Sequence, residues 1–219
     1  MRPSVSAMPT PTRDIAWVAD THRRLLEVIE AMTDGDVRRA SLLPGWTVGH
    51  VLTHIARNAD SHVRRTDAAR RGEMADQYDG GYAGREAEIN SGAGRSAAAI
   101  VHDVRQSADA IDQAWRTVPE EPWVVRTRDV SGRERPLFEL PSRRWQEVEV
   151  HTVDLDAGAS HRDWPDEFVI QWLPRTRERM WSQIPAEAAE IRFENPSDEL
   201  AWLYGRLKGG GLPELPSWG

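Results

Sequence analysis

The stretch AAAIVHDVRQSADAIDQAWRTV, residues 97–118, has the clearest periodicity in the chain. Its apolar positions recur at steps of three and four residues: Ala97, Val101, Val104, Ala108, Ile111, Trp115 and Val118. This spacing places them along one face of an α-helix. The proline that follows ends the helix, because proline has no backbone N–H to donate. The stretch therefore predicts an amphipathic helix that packs one face into a helical core.

Three other long helices are predicted on either side of this one. They cover residues 14–32, about 48–71 after an N-cap at Thr47, and about 142–157. A glycine-rich connection with a short helix joins the second of them to residue 97, and Ser131-Gly132 predicts a short hairpin. Four long amphipathic helices are typical of an antiparallel four-helix bundle, so we expect a mainly α fold.

The character of the sequence changes after Asp163. A helix rich in tryptophan is predicted through Ile184, then a short strand near Ile191 and a last helix near Glu199 to Leu207. We therefore expect a disordered lead-in at residues 1–13, a bundle with a metal site at residues 14–163, and a small α/β C-terminal lobe at residues 164–219.

Composition excludes several classes of function. The net charge of −7 and the scattered basic residues argue against a nucleic-acid partner. No apolar run approaches the roughly 18 residues of a membrane span, and the N-terminus has no apolar signal segment, so we expect a cytoplasmic protein without a membrane partner. We expect a monomer or weak dimer. The chain has no cysteine, so any thiol chemistry must use an external thiol.

Glu147 and His151 stand one helical turn apart in the predicted fourth helix. A carboxylate and an imidazole on one helix face, joined by a histidine from another helix, would give a zinc ion three protein ligands and leave one position open. Glu149 points to the opposite side of the helix and is expected to be solvated.

The third ligand is not fixed by spacing alone. His54 is the most plausible candidate, and His50, His62 and His22 compete with it on neighbouring predicted helices. A core histidine that hydrogen-bonds to another helix is the simpler interpretation of any one of them.

Two segments carry a resemblance that chooses among these histidines. LPGWTVGHVLTHIA at residues 43–56 and EVEVHTVDL at residues 147–155 resemble the two hallmark segments of the mycothiol-dependent maleylpyruvate isomerase family, whose N-terminal domain is a DinB-like metal-binding bundle. The likeness extends over nearly the whole chain and includes residues 85–89 and 204–206. It implies that zinc is held by His54, Glu147 and His151, which would act in catalysis through the metal.

The resemblance also implies the reaction. Zinc would hold mycothiol as its thiolate, and addition and elimination of that thiolate would convert maleylpyruvate to fumarylpyruvate. The substrate is a small anionic electrophile, for which Arg206 is the expected binding residue and Arg85 a second, weaker one. The expected C-terminal lobe is abridged relative to the family, because the chain passes almost directly from Phe193 into the last helix.

Two alternatives stay open at this point. A mycothiol S-transferase would conjugate another electrophile at the same zinc site. A non-catalytic helical binding protein would use the same three residues as a hydrogen-bonded core cluster.

Overall fold

The computed structural model describes residues 9–185, 188 and 191–215. The described chain is mainly helical, which confirms the expected fold class. Its helices are α1 (Thr12–Ile29), α2 (Asp34–Arg38), α3 (Val48–Arg70), α4 (Gly81–Ala93), α5 (Ala97–Arg116), α6 (Leu140–Asp154), α7 (Asp166–Met180) and α8 (Pro196–Leu203). Strands β1 (Arg126–Arg128) and β2 (Glu134–Pro136) form an antiparallel pair between α5 and α6.

The chain divides into two compact units between Val148 and Glu149, inside helix α6. The expected boundary between bundle and lobe, after residue 163, stays a prediction. Residues 1–8 of the expected lead-in and residues 216–219 of the tail lie outside the described residues, and α1 already begins at Thr12.

The first unit, which ends within α6, contains the other long helices of the bundle. Helix α3 packs against α4 and α5, and α1 packs against α5. The stripe predicted on α5 is buried at Ala97, Val104, Ala108, Ile111 and Trp115. The packing of α1, α3 and α5 agrees with the predicted bundle.

Helix α3 begins with a reciprocal cap. The backbone N–H of His50 donates to the hydroxyl of Thr47 at 3.4 Å, and the backbone N–H of Thr47 donates to Nδ1 of His50 at 3.2 Å. These bonds satisfy two amides that would lack partners at a helix N-terminus. The cap fixes where α3 starts and therefore which of its residues face the core.

Helix α3 also passes very close to its neighbours at Gly49. A Cβ at this position would overlap the carbonyl oxygen of Ala93 and lie 3.1 Å from that of Val37. Only glycine allows this approach, which brings α3 against the end of α4.

The second unit contains α7, α8 and the segments around them. Helices α7 and α8 pack together, and Met180, Ala188, Trp202 and Leu203 form a hydrophobic cluster there. The prediction of a strand near Ile191 was wrong, because residues 191–193 are described and lie outside any strand. Ile191 instead packs its side chain on that cluster. No neighbouring strand is described in this unit to receive its backbone hydrogen bonds, and a lone strand leaves such groups unpaired.

Candidate metal centre

His54, Glu147 and His151 form a group that could hold a metal ion. Each offers one ligand atom, and these atoms all lie within 4.8 Å of one another. His54 comes from α3, while Glu147 and His151 are one turn apart on α6, so a single helix sets the position of one relative to the other. Nε2 of His54 lies 3.8 Å from Oε2 of Glu147. The structure therefore brings together the three residues that the resemblance singled out.

Burial differs among the three side chains. His54 and His151 are 2% and 4% exposed, whereas the side chain of Glu147 is 27% exposed. Two buried imidazoles and one carboxylate that solvent reaches form a donor set suited to a divalent metal such as zinc. The residues present therefore fit the metal that the resemblance implies.

His54 lies against Trp46 and Arg85. The indole of Trp46 meets the imidazole edge-on with 5.7 Å between ring centres, and the guanidinium of Arg85 lies 5.6 Å from the indole centre. Nη2 of Arg85 makes a long contact of 3.4 Å with Nδ1 of His54. An arginine only donates, so this contact places the proton of a neutral imidazole on Nε2.

His151 is oriented by a carboxylate and a guanidinium behind it. Its Nδ1 lies 2.8 Å from Oδ2 of Asp154. Arg206 grips the same carboxylate with two bonds, Nε to Oδ1 at 2.9 Å and Nη2 to Oδ2 at 2.7 Å. Burial alone would raise the pKa of Asp154, but the bonds from His151 and Arg206 hold it below its ordinary value. Asp154 is therefore a carboxylate that accepts from the imidazole and fixes its orientation.

The two arginines expected at the substrate thus have different surroundings. The side chain of Arg206 is 4% exposed, and its remaining nitrogen, Nη1, donates to the carbonyl of Tyr204 at 2.6 Å. Arg85 is partly exposed and lies beside His54. Substrate binding by either residue stays a prediction.

The other histidines of α1 and α3 have structural partners. His50 belongs to the cap of α3, and His62 accepts from Nη2 of Arg65 at 3.2 Å. His22 lies 3.1 Å from a carboxylate oxygen of Asp112. Among the described residues, only His54 and His151 of the histidines belong to a group that could hold a metal.

Arg144, on the same helix as Glu147 and His151, is a fully buried arginine that the sequence analysis missed. The Nε of Arg144 donates to His22 at 3.1 Å, and Nη1 donates to the carbonyl of Ile55 at 2.8 Å and to Oδ1 of Asn58 at 2.9 Å. Burial lowers the pKa of Arg144 to about 10, and Glu147 is the nearby charge that opposes this shift most. Arg144 therefore carries its charge at neutral pH in the interior of the bundle.

One expectation about α6 is overturned. Glu149 was expected to be solvated but is only 6% exposed. Helix α6 is buried on several sides, with Val148, Val150 and Val153 also covered, and the indole of Trp164 donates to the carbonyl of Glu149. Helical spacing tells on which face of a helix a residue lies. Whether that face is solvated depends on what packs against it.

Comparison with family models decides the relationship. The model described as the mycothiol maleylpyruvate isomerase N-terminal domain matches residues 18–156. The chain belongs to this family. The match to the mycothiol maleylpyruvate isomerase family covers α3 and α6, and so includes the three candidate ligands. A comparison with curated protein sequences found no match.

Solved structures show the same fold. The crystal structure of the mycothiol-dependent maleylpyruvate isomerase superposes with a TM-score of 0.85 at 23% identity, covering 96% of this chain and 98% of that one. A histidine-to-alanine mutant of that enzyme gives 0.84 at 22% identity with the same coverage. YfiT from Bacillus subtilis, described as a probable metal-dependent hydrolase with an unusual four-helix bundle topology, gives 0.55 at 16% identity, covering 71% and 90%. The DinB-like bundle expected from the sequence is therefore confirmed.

Proposed function

We propose that this member of the mycothiol maleylpyruvate isomerase family is a zinc-dependent enzyme that uses mycothiol to isomerise maleylpyruvate to fumarylpyruvate. The observation that carries the proposal is the group of two imidazoles and one carboxylate within 4.8 Å, in a chain that has no cysteine. A protein without its own sulfur nucleophile needs an external thiol for this chemistry.

Some side chains would bind the metal directly, and others would orient those ligands. His54, Glu147 and His151 would supply its protein ligands. A bound zinc ion would supply a Lewis acid that lowers the pKa of a coordinated thiol. Asp154 keeps the His151 imidazole in the tautomer with its proton on Nδ1, and Arg206 holds Asp154 in place.

The isomerisation itself is an addition followed by an elimination. The mycothiol sulfur forms a bond to one carbon of the cis double bond, and the displaced π electrons move toward the conjugated carbonyl. Rotation about the resulting single bond follows. The electrons then return, the carbon–sulfur bond breaks, and the trans product leaves with the thiolate regenerated. No proton or electron is consumed overall.

Arg85 is the residue we propose for gripping a substrate carboxylate. Its guanidinium lies beside His54 and over the face of Trp46. A guanidinium fork matches a carboxylate in shape and charge. Arg206 was the other candidate; to bind substrate directly it would have to release the two bonds that it makes to Asp154.

Metal content tests the first half of the proposal. Purified protein is expected to contain close to one zinc per chain by elemental analysis, and His54→Ala is expected to lose most of it because one of three protein ligands is removed. His102→Ala is the matched control, since His102 is an exposed histidine of α5. Zinc bound equally well by His54→Ala would contradict the proposed centre.

Turnover tests the second half. Maleylpyruvate absorbance is expected to change only when zinc-loaded protein and mycothiol are both present, and the product should be fumarylpyruvate. A stable adduct between mycothiol and an electrophile, without isomerisation, would identify an S-transferase instead. Zinc binding with neither activity would contradict a catalytic use of mycothiol on these substrates.

A further inference from the structure

Arg144 connects the long helices of the bundle through hydrogen bonds. It lies on α6 and is fully buried. Its Nη1 donates to the carbonyl of Ile55 at 2.8 Å and to Oδ1 of Asn58 at 2.9 Å, and both acceptors belong to α3. Its Nε donates to Nε2 of His22, on α1, at 3.1 Å. One guanidinium therefore bonds α6 directly to two other helices.

His22 extends this connection to α5. Burial lowers the pKa of His22, which keeps the imidazole neutral at pH 7. An arginine only donates, so Nε2 of His22 accepts from Arg144 and the imidazole proton lies on Nδ1. That nitrogen donates to Oδ1 of Asp112, on α5, at 3.1 Å. A single hydrogen-bonded network therefore includes groups from α1, α3, α5 and α6.

The network reaches α3 and α6 within one helical turn of two candidate metal ligands. On α3, Ile55 directly follows His54, and Asn58 comes four residues after His54, on the same face. On α6, Arg144 comes three residues before Glu147, again on the same face. The bonds from Arg144 therefore join the two helices close to the point where Nε2 of His54 lies 3.8 Å from Oε2 of Glu147.

The guanidinium makes this connection sensitive to the register of the two helices. Its N–H groups are fixed in one plane, so its acceptors must keep fixed positions around it. A displacement of α6 along α3 by about 1 Å would stretch the bonds to Ile55 and Asn58 beyond hydrogen-bond range. Buried acceptors and a buried charge would then lack partners, which is unfavourable. The network therefore favours one register.

We propose that Arg144 is a positioning residue that sets the register of α6 against α3, and with it the separation of the ligand atoms of His54 and Glu147. Arg144 would act through the two helices rather than by contact with the metal. This role rests on the proposed function, because it assumes that the centre binds a metal ion.

The test uses the full chain with Co²⁺ in place of zinc, because the visible absorption of cobalt reports the number and arrangement of its ligands. Wild type is compared with Arg144→Met, whose unbranched apolar side chain cannot donate. Arg65→Met is the matched control. Arg65 is also a buried arginine, 2% exposed, but its hydrogen bonds among the described residues go to Ser61 and His62 of its own helix, α3.

Arg144→Met is expected to bind cobalt about 10–100-fold more weakly than wild type, the usual effect of losing a residue that orients metal ligands. Its visible band should weaken, because water replaces a ligand atom that moves away and the coordination number rises. Arg65→Met should keep the affinity and spectrum of wild type. Both variants should be less stable to urea, since each loses buried hydrogen bonds.

Arg144→Lys is a second variant that carries the test if Arg144→Met does not fold. Lysine keeps the positive charge, but its single ammonium group cannot reproduce the planar arrangement of donors that Ile55, Asn58 and His22 accept from. Arg144→Lys is therefore expected to fold and still to bind cobalt more weakly than wild type, with a weaker visible band.

Three results would overturn the positioning role of Arg144. They are wild-type affinity and spectrum in Arg144→Met, an equal loss in Arg65→Met, which would assign the effect to general destabilisation, and full recovery in Arg144→Lys, which would show that charge alone suffices. Failure of wild type to bind cobalt is a different result, because it would contradict the proposed metal centre itself and the role of Arg144 with it.

Discussion

At the residue scale, the orientation of His151 depends on a carboxylate that is not itself a candidate ligand. Asp154 accepts from Nδ1 of His151 at 2.8 Å and is held by two bonds from Arg206. A hydrogen bond of this kind fixes the tautomer of a metal-binding histidine and raises its basicity.

Replacement of this carboxylate by an amide is expected to weaken the metal centre. Asp154→Asn should bind zinc about 10–100-fold more weakly than wild type, as measured by competition with a chromogenic chelator. Asp156→Asn is the matched control, because Asp156 is exposed just beyond the same helix and asparagine tolerates its positive φ of 50°. If both variants keep wild-type affinity, Asp154 does not orient a metal ligand.

The sequence predicted the candidate site unevenly at this scale. Glu147 and His151 follow from helical spacing, whereas His54 had to be chosen by family resemblance because the register between α3 and α6 cannot be read from either helix. Asp154 was missed, although its place three residues after His151 is a readable signal.

At the element scale, the position of α3 depends on a close approach that only glycine permits. A Cβ at Gly49 would overlap the carbonyl oxygen of Ala93, which belongs to the backbone of α4 and cannot move aside cheaply. His54 lies on the second turn of α3, so this contact also bears on the candidate metal centre.

Gly49→Ala is expected to lower the free energy of unfolding by about 1–3 kcal/mol, the usual cost of overpacking a tight contact. Urea denaturation measures the change. Gly94→Ala provides the comparison, because a Cβ at Gly94 meets nothing within 4 Å and its φ is −88°. An equal effect of the two substitutions would show that the contact at Gly49 is not limiting.

The sequence predicted helices best where their apolar periodicity extends over many residues. The stripe on α5 and the N-cap at Thr47 located two helices closely. Helix α2 was missed because its five residues are too few to show a period. The strand near Ile191 was wrong because an apolar alternation indicates burial, and here burial is provided by the cluster around Trp202 rather than by a sheet.

At the scale of the whole molecule, buried histidines make the free energy of unfolding depend on pH. Burial lowers the pKa of His62 well below its ordinary value of 6.5, and the charges of Arg65, Arg144 and His22 act in the same direction while Glu147 opposes them. The unfolded chain takes up a proton as pH falls below 6.5, whereas folded His62 stays neutral. Stability is therefore full above that pH and is lost as the pH falls toward the folded pKa.

The free energy of unfolding is expected to decrease from pH 7.5 to 5.5 by up to about 1.4 kcal/mol per pH unit for each such histidine. His62→Gln should make this slope shallower, and His102→Gln, an exposed change on α5, should leave it unaltered. Part of the slope should persist in His62→Gln because burial also lowers the pKa of His22. Urea titrations at several pH values measure these slopes, and an identical slope in both variants would contradict the assignment to His62.

At this scale the sequence predicted a mainly α fold, which the described residues confirm. Among the described helices, none combines the length and the hydropathy of a membrane span. The absence of a membrane partner stays a prediction. Cytoplasmic location and a monomeric or weakly dimeric state stay predictions.

The pairing of Asp154 with Arg206 has an evolutionary consequence. The two residues are 52 positions apart, yet the buried carboxylate would be left without its counter-ion if the arginine changed alone. Relatives are therefore expected to exchange or lose both together, as a covarying pair. A short sequence motif built around Glu147 and His151 would not include Arg206. Such a motif would therefore classify some sequences that lack this arginine, and so have a weakened metal centre, as having an intact one.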